Sequence, residues 1–192
     1  MKSTKNMTRR KALGTIGAAG AAALVSEATL LAATPEDLPE TGHEGDGPFY
    51  KPGAPERANF REKGMGGTPF TLTGQVLNVH GKPLAGALLD FWHADKEGEY
   101  DNKGFKLRGR FHADKEGRYR LETIQPRWYG GRSAHFHVKV SAPEHPLLTT
   151  ALYFKGDPLL DKDRMVKPAL ILQVVEQKGE RAAKFDFVLR VT

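Results

Sequence analysis

His135-Phe136-His137-Val138-Lys139-Val140-Ser141 alternates polar and apolar residues without a break. On a β-strand, side chains two apart point the same way. His135, His137, Lys139 and Ser141 therefore share one face, and Phe136, Val138 and Val140 share the other. The apolar face is the one a core takes. The polar face carries two imidazoles about 7 Å apart at their Cα atoms, from a rise of roughly 3.3 Å per residue, so both reach a common ion. A His-x-His pair alone also fits two solvated or core-satisfied histidines, so the neighbouring sequence has to decide.

The same texture runs through the rest of the chain. Phe70–Val79, Ala87–Trp92, Gly117–Ile124, Thr149–Phe154, Ala169–Val175 and Lys184–Val191 read as short strands separated by turn signals, and no segment keeps a helical period. The expected fold is all-β, an antiparallel β-sandwich of short strands with long loops. Before it, residues 34–67 are rich in Pro, Gly and charge with little periodicity and read as an extended N-terminal arm, leaving 68–192 as the sandwich domain. The phrase Ala-Asp-Lys-Glu-Gly occurs twice, at 94–98 and 113–117, and reads as two similar hairpin turns with Gly in a left-handed position. The turn from Asn78 to Ala87 is of a kind found in secreted sandwich modules. A secreted module that binds carbohydrate or protein without catalysis is thus the rival to any enzymatic reading.

Composition narrows the chemistry. The 192 residues include no cysteine, which removes disulfides, thiolate zinc sites, iron–sulfur clusters and cysteine nucleophiles together. The net charge of +6 is carried mostly by residues 1–33, where Lys2, Lys5, Arg9, Arg10 and Lys11 face the single anion Glu27, so the remainder is close to balanced. Nucleic-acid binding loses its electrostatic support. A cationic start, a weakly apolar Gly/Ala-rich stretch from Ala12 to Ala33 and a polar shift at Thr34 make 1–33 an export signal, and the mature chain is expected to be periplasmic or extracellular with no stable membrane span. Arg9-Arg10 resembles a twin-arginine signal, with Ala12 where a large apolar residue is usual.

Around the histidine pair, Trp128-Tyr129-Gly130-Gly131-Arg132 places a glycine turn that brings Tyr129 back over the strand, and Phe91-Trp92-His93-Ala94-Asp95 leads through Gly98 to Tyr100. No carboxylate stands at the spacing of a two-histidine facial triad. Two tyrosines on loops with two histidines on a strand would make a four-ligand site whose anionic oxygens suit a hard trivalent ion better than zinc or copper.

These residues resemble the intradiol ring-cleavage dioxygenases, non-haem Fe(III) enzymes that open catechols between the two hydroxylated carbons. The resemblance runs from Gly47-Pro48-Phe49-Tyr50, through Trp92-x-Ala94-Asp95-x-x-Gly98-x-Tyr100, the Pro126–Tyr129 turn and Arg132-x-x-His135-x-His137, to Tyr153-Phe154-Lys155-Gly156-Asp157-Pro158. It implies that Tyr100, Tyr129, His135 and His137 hold Fe(III), that Tyr129 is the detachable ligand and acts as a base, and that Arg132 lies beside the substrate. It further implies a catechol and O2 as reactants and a muconate-type dicarboxylate as product. Tyr50, Trp92, Trp128 and Phe136 are candidates to line or support the cavity, with core packing as the alternative. Two departures concern the pocket: only Gly130 and Gly131 separate Tyr129 from Arg132, and Ala151 stands where several members have a glutamine. The arm is free to pack on its own domain or on a second copy, so a homo-oligomer is also an expectation.

Overall fold

The computed structural model describes residues 36–191, so the export signal read at 1–33 lies outside the described residues. Two five-stranded sheets face each other. In the first, β1 (Pro69–Asn78) pairs antiparallel with β4 (Arg118–Ile124) and parallel with β9 (Glu180–Lys184) and β10 (Phe187–Leu189), and β9 pairs with β8 (Val175–Gln177). The second runs β3 (Arg108–His112), β2 (Leu88–His93), β5 (His135–Ser141), β6 (Leu148–Phe154), β7 (Ile171–Leu172). Among the described residues the one helical element is a 3-10 turn at Pro168–Leu170, and no helix is long and apolar enough to cross a membrane.

The sandwich agrees with the sequence reading, but its sheets are mixed where antiparallel pairing was expected. β4 returns antiparallel to β1 early, whereas β9 and β10 reach β1 only after the second sheet has been built, and they run the same way as β1. The expected strand at Lys184–Val191 is broken at Phe185-Asp186, where the Asp186 carboxylate accepts the Gln75 N–H at 2.8 Å in place of a ladder bond. Gly74 makes this possible, since a Cβ there would lie 1.7 Å from the Phe185 carbonyl oxygen. The register is the same on both sides of the break, Thr73 opposite Lys184 and Val76 opposite Phe187.

The alternation works as predicted. Phe136, Val138 and Val140 turn inward with Phe70, Leu72, Phe91, Leu121, Leu152 and Phe187 to form the core between the sheets. His135, His137 and Lys139 consequently lie on the outer face of the second sheet, yet both histidines are buried. A second, smaller apolar cluster covers that outer face: Trp92, Ala94 and Tyr100 with Phe49, Tyr50 and Tyr129 packed on it.

Much of this cover comes from the N-terminal arm, which packs on its own domain. Thr41 exchanges hydrogen bonds with Val188 of β10, and the Glu44 N–H donates to the Thr149 carbonyl of β6 at 2.7 Å, so the arm spans one open side of the sandwich. Further along, Phe60 is wholly buried, a side-chain burial worth roughly 2 kcal/mol. The two Ala-Asp-Lys-Glu-Gly phrases form the same turn, with the Asp95 and Asp114 carboxylates accepting backbone N–H groups two and four residues on and with Gly98 and Gly117 at φ +90 and +71. They differ in use. The first opens the connection between β2 and β3 that carries Tyr100, whereas the second carries the chain from one sheet to the other and is not a hairpin.

Candidate metal centre

β5 presents the two imidazoles side by side, and their Nε2 atoms stand 3.0 Å apart. The His135 Nδ1–H donates to the Ser133 carbonyl at 2.6 Å, which leaves the Nε2 lone pair of that ring facing its neighbour. His137 is held flat against Trp92, with ring centroids 4.9 Å apart and planes within 5°. On its other edge the arm comes so close that a Cβ on Gly47 would lie 3.3 Å from Cε1 and 3.4 Å from Nε2. Burial lowers the basicity of both rings, taking His135 to about 4 and His137 well below the ordinary histidine value. Both are therefore neutral at physiological pH, the form that ligates metal.

The two phenols come from loops on either side. The Tyr100 hydroxyl is 3.4 Å from His135 Nε2, and its ring stacks on Phe49 at 4.5 Å. Tyr129 packs edge-on to Tyr100 at 5.3 Å and tilted against His135 at 5.9 Å. Burial raises both phenols above their ordinary value, with Arg132 acting in the opposite direction on each and Arg108 also on Tyr100. Tyr100 is buried and Tyr129 half-buried, so the second phenol is the more accessible.

The short stretch between Tyr129 and Arg132 is a two-residue hairpin turn. Gly130 and Gly131 both have positive φ, at +51 and +82, and the flanking residues exchange N–H to carbonyl hydrogen bonds of 3.2 and 2.7 Å. That turn type needs glycine-like residues at both central positions. The departure noted in the sequence thus makes Tyr129 and Arg132 direct cross-strand neighbours through their backbones. Arg132 is held from the other side by Asp163, whose Oδ2 accepts Arg132 Nε at 2.9 Å along with the Ser133 N–H and hydroxyl. Burial would raise the Asp163 carboxyl, but Arg132 and the Met165 and Ser133 N–H groups outweigh it and hold it below the usual range.

The four residues predicted as ligands are therefore brought together, with Arg132 beside Tyr129. They also fit an ion. Two nitrogens bound to one ion at about 2.1 Å and roughly a right angle stand about 3.0 Å apart, the separation seen here, and among the described residues no cluster of three histidines or carboxylates competes as a site. Of the four lining candidates, Trp92 and Tyr50 are at the site. Tyr50 packs on Trp92 at 4.8 Å and donates to Asp90 Oδ2 at 3.1 Å. Phe136 is not at the site, because strand alternation turns it into the core against Phe70 and Phe154. Trp128 lies elsewhere, lining a cavity of about 600 Å3 together with Arg127, Lys155 and Arg181, which none of the four ligand candidates enters. That cavity gathers no comparable set of donors, and the convergence of side chains makes the four-residue cluster the candidate site.

Sequence reasoning missed Glu44, Tyr153, Asp163 and Arg108. Arg108 is buried beneath Tyr100, its guanidinium carbon 5.9 Å from the ring centroid, donating to the Phe49 and Asp101 carbonyls. Only Tyr153 lay within a quoted motif, and nothing in the spacing of the others marks them.

Comparison with known proteins follows the same line. A dioxygenase family model (Dioxygenase_C) matches residues 46–191. A 6-chlorohydroxyquinol 1,2-dioxygenase of Cupriavidus pinatubonensis is 33% identical over 174 residues, 76% of this chain and 63% of that protein. A catechol 1,2-dioxygenase of Acinetobacter baylyi is 31% identical over 174 residues, 74% of this chain and 56% of its own length. This chain thus spans less than two thirds of either relative. Among solved structures, the dioxygenase domain of a dioxygenase carbohydrate-binding protein fusion from the cellulolytic bacterium Streptomyces sp. SirexAA-E superposes with a TM-score of 0.77 at 42% identity, covering 80% of this chain and 100% of that one. With the family model spanning most of its length and the sandwich shared, the chain belongs to the intradiol ring-cleavage dioxygenase family.

Proposed function

We propose that this protein opens a catechol-type ring between its two hydroxylated carbons with O2, giving a muconate-type dicarboxylate, and that it does so with Fe(III) held by Tyr100, Tyr129, His135 and His137. The observation that carries this reading is the convergence of both Nε2 atoms and the Tyr100 hydroxyl on one covered face. When bound, a ferric ion supplies Lewis acidity, acidifying the catechol hydroxyls and drawing electron density from the ring.

The chain's own residues have separate tasks around it. His135 and His137 stay neutral because they are buried, and Ser133 fixes the tautomer of the first. Tyr100, packed under Phe49, is the fixed phenol, while Tyr129 on its glycine turn is the one placed to take a proton from the substrate at Oη. Arg132, paired to Tyr129 across that turn, meets the negative charge that develops on the substrate, a preorganised contribution typically worth about 3 kcal/mol. Trp92, Tyr50 and Phe49 close the face against water.

The leader at 1–33 supports export of the mature chain, and the neighbour joined to a carbohydrate-binding protein in a cellulolytic organism is in keeping with plant-derived catechols as substrates. The test is product analysis with a panel of catechols under isotopically labelled O2. A muconate with both labelled oxygens is expected. A semialdehyde would place the cut outside the hydroxyls, and no product with a colourless, folded protein would favour a binding module.

A further inference from the structure

We propose that Glu44, on the N-terminal arm, is a positioning residue that aims Arg132 through the hydroxyl of Tyr153. The inference rests on the ring-opening role given to Arg132 above and goes beyond it, making the arm part of the working site.

The geometry is a chain of three groups. Tyr153 stands directly opposite His135 in the β5–β6 ladder, with ring centroids 5.7 Å apart. Its hydroxyl has one hydrogen, donated to Glu44 Oε2 at 2.8 Å, so its lone pair is turned to accept from Arg132 Nη2 at 3.0 Å. On the same edge of the guanidinium, Nε donates to Asp163 Oδ2. One contact to a single carboxylate oxygen lets the guanidinium plane rotate, whereas a second contact on the same edge fixes it. The opposite edge, Nη1, is then held in a set direction. Removing Glu44 frees the Tyr153 hydrogen to turn, and the second anchor is no longer enforced.

Glu44 is an expensive way to hold an arm in place. It is 6% exposed, its Oε1 is buried with no hydrogen-bond partner, and burial raises its pKa. A buried carboxyl satisfied at one oxygen is less stabilising than an apolar residue of the same size. The arm has other anchors nearby: the Glu44 N–H on Thr149, the Gly42 carbonyl accepting from the Thr150 hydroxyl at 2.6 Å, and Thr41 on Val188. The carboxyl is therefore surplus to attachment, and what it touches is the group that orients the arginine.

The experiment uses the full chain loaded with iron and compares Glu44→Ala, Glu44→Gln, Tyr153→Phe and, as a control, Glu40→Ala, which breaks the exposed pair of the same arm with Arg190. Each is also made with Arg132→Gln. Iron content and visible absorption should be unchanged in all. Glu44→Ala and Tyr153→Phe should lower kcat by roughly tenfold with a smaller change in KM, the scale of one hydrogen bond to a charged group. Glu44→Gln, whose amide oxygen still accepts from Tyr153, should recover most of the loss, and Glu40→Ala should match the parent. Where Arg132 is already replaced, Glu44→Ala should cost nothing further. Full activity in Glu44→Ala, or a loss that adds in full to that of Arg132→Gln, overturns the proposal while leaving ring cleavage intact. If the parent protein opens no catechol, the ring-opening reading fails, and urea unfolding of the metal-free variants decides this one. Non-additive midpoints for Glu44 and Arg132 support the coupling, and additive ones refute it.

Discussion

Protonation of His93 should account for a measurable share of acid destabilisation. This imidazole is 1% exposed, packed against Phe60 and Phe136, and both ring nitrogens are committed: Nδ1–H donates to the Ala94 carbonyl and Nε2 accepts from the Thr123 hydroxyl, each at 2.7 Å. Burial pushes its pKa down from 6.5 to about 4, with the Ala94 carbonyl resisting and His135 and Arg108 assisting. Because the folded protein refuses a proton that the unfolded chain takes, stability is constant above the unfolded value. It falls as pH drops through 6.5 and levels only below the folded value. Between about pH 7.5 and about pH 4.5 this one group removes about 2.5 kcal/mol. The assay is urea unfolding of metal-free protein at the two pH values, for the parent and for His93→Gln. Carboxylates and the other buried histidines contribute equally to both proteins, so the drop in stability should be smaller in the variant by about that amount. Equal drops would refute the argument that His93 is buried neutral.

Three other outcomes follow from the site. Tyr100→Phe removes the buried phenol and should abolish most visible absorption and turnover while the fold, read by circular dichroism, is kept. Gly98→Ala puts a Cβ 2.6 Å from the Trp128 carbonyl at a backbone φ of +90, and should cost about 2 kcal/mol in unfolding free energy. It should also lower activity by displacing the turn that carries Tyr129. Asp163→Asn halves the support of Arg132 and leaves the Ser133 contacts weakened, so kcat should fall several-fold with iron retained. Loss of iron along with activity in this variant would assign Asp163 to the metal set instead.

The parts of the fold that sequence reveals are those written in side-chain alternation. His135 to Ser141 set its own two faces, and β1 and β4 follow because they bury alternate residues along most of their length. β3 and β9 escaped notice because Arg108-Gly109-Arg110 and Glu180-Arg181 carry no apolar alternation; β3 is instead held by the arm, with Gly109 pressed on Phe60 and Arg57. Parallel pairing was equally hidden, since it depends on where distant segments return. At the site, the ligand candidates were legible because their spacing is local to two loops and one strand. Glu44, Asp163 and Arg108 were not, because each reaches its partner across tens of residues as a single charged side chain. Most of the arm read as a lead into the domain, with Tyr50 alone offered as lining; its hydrogen bonds to β6 and β10, and the packing of Gly47 and Phe49 on His137 and Tyr100, show it as a wall of the candidate site.

Whether Tyr100, Tyr129, His135 and His137 hold one ferric ion is read from metal analysis together with the visible spectrum of the purified protein. One iron per chain is expected, with a phenolate-to-iron charge-transfer band that shifts on adding catechol and is lost when Tyr100 and Tyr129 are both replaced by Phe. A folded protein that takes up no iron, or one whose band survives the double replacement, would contradict this expectation.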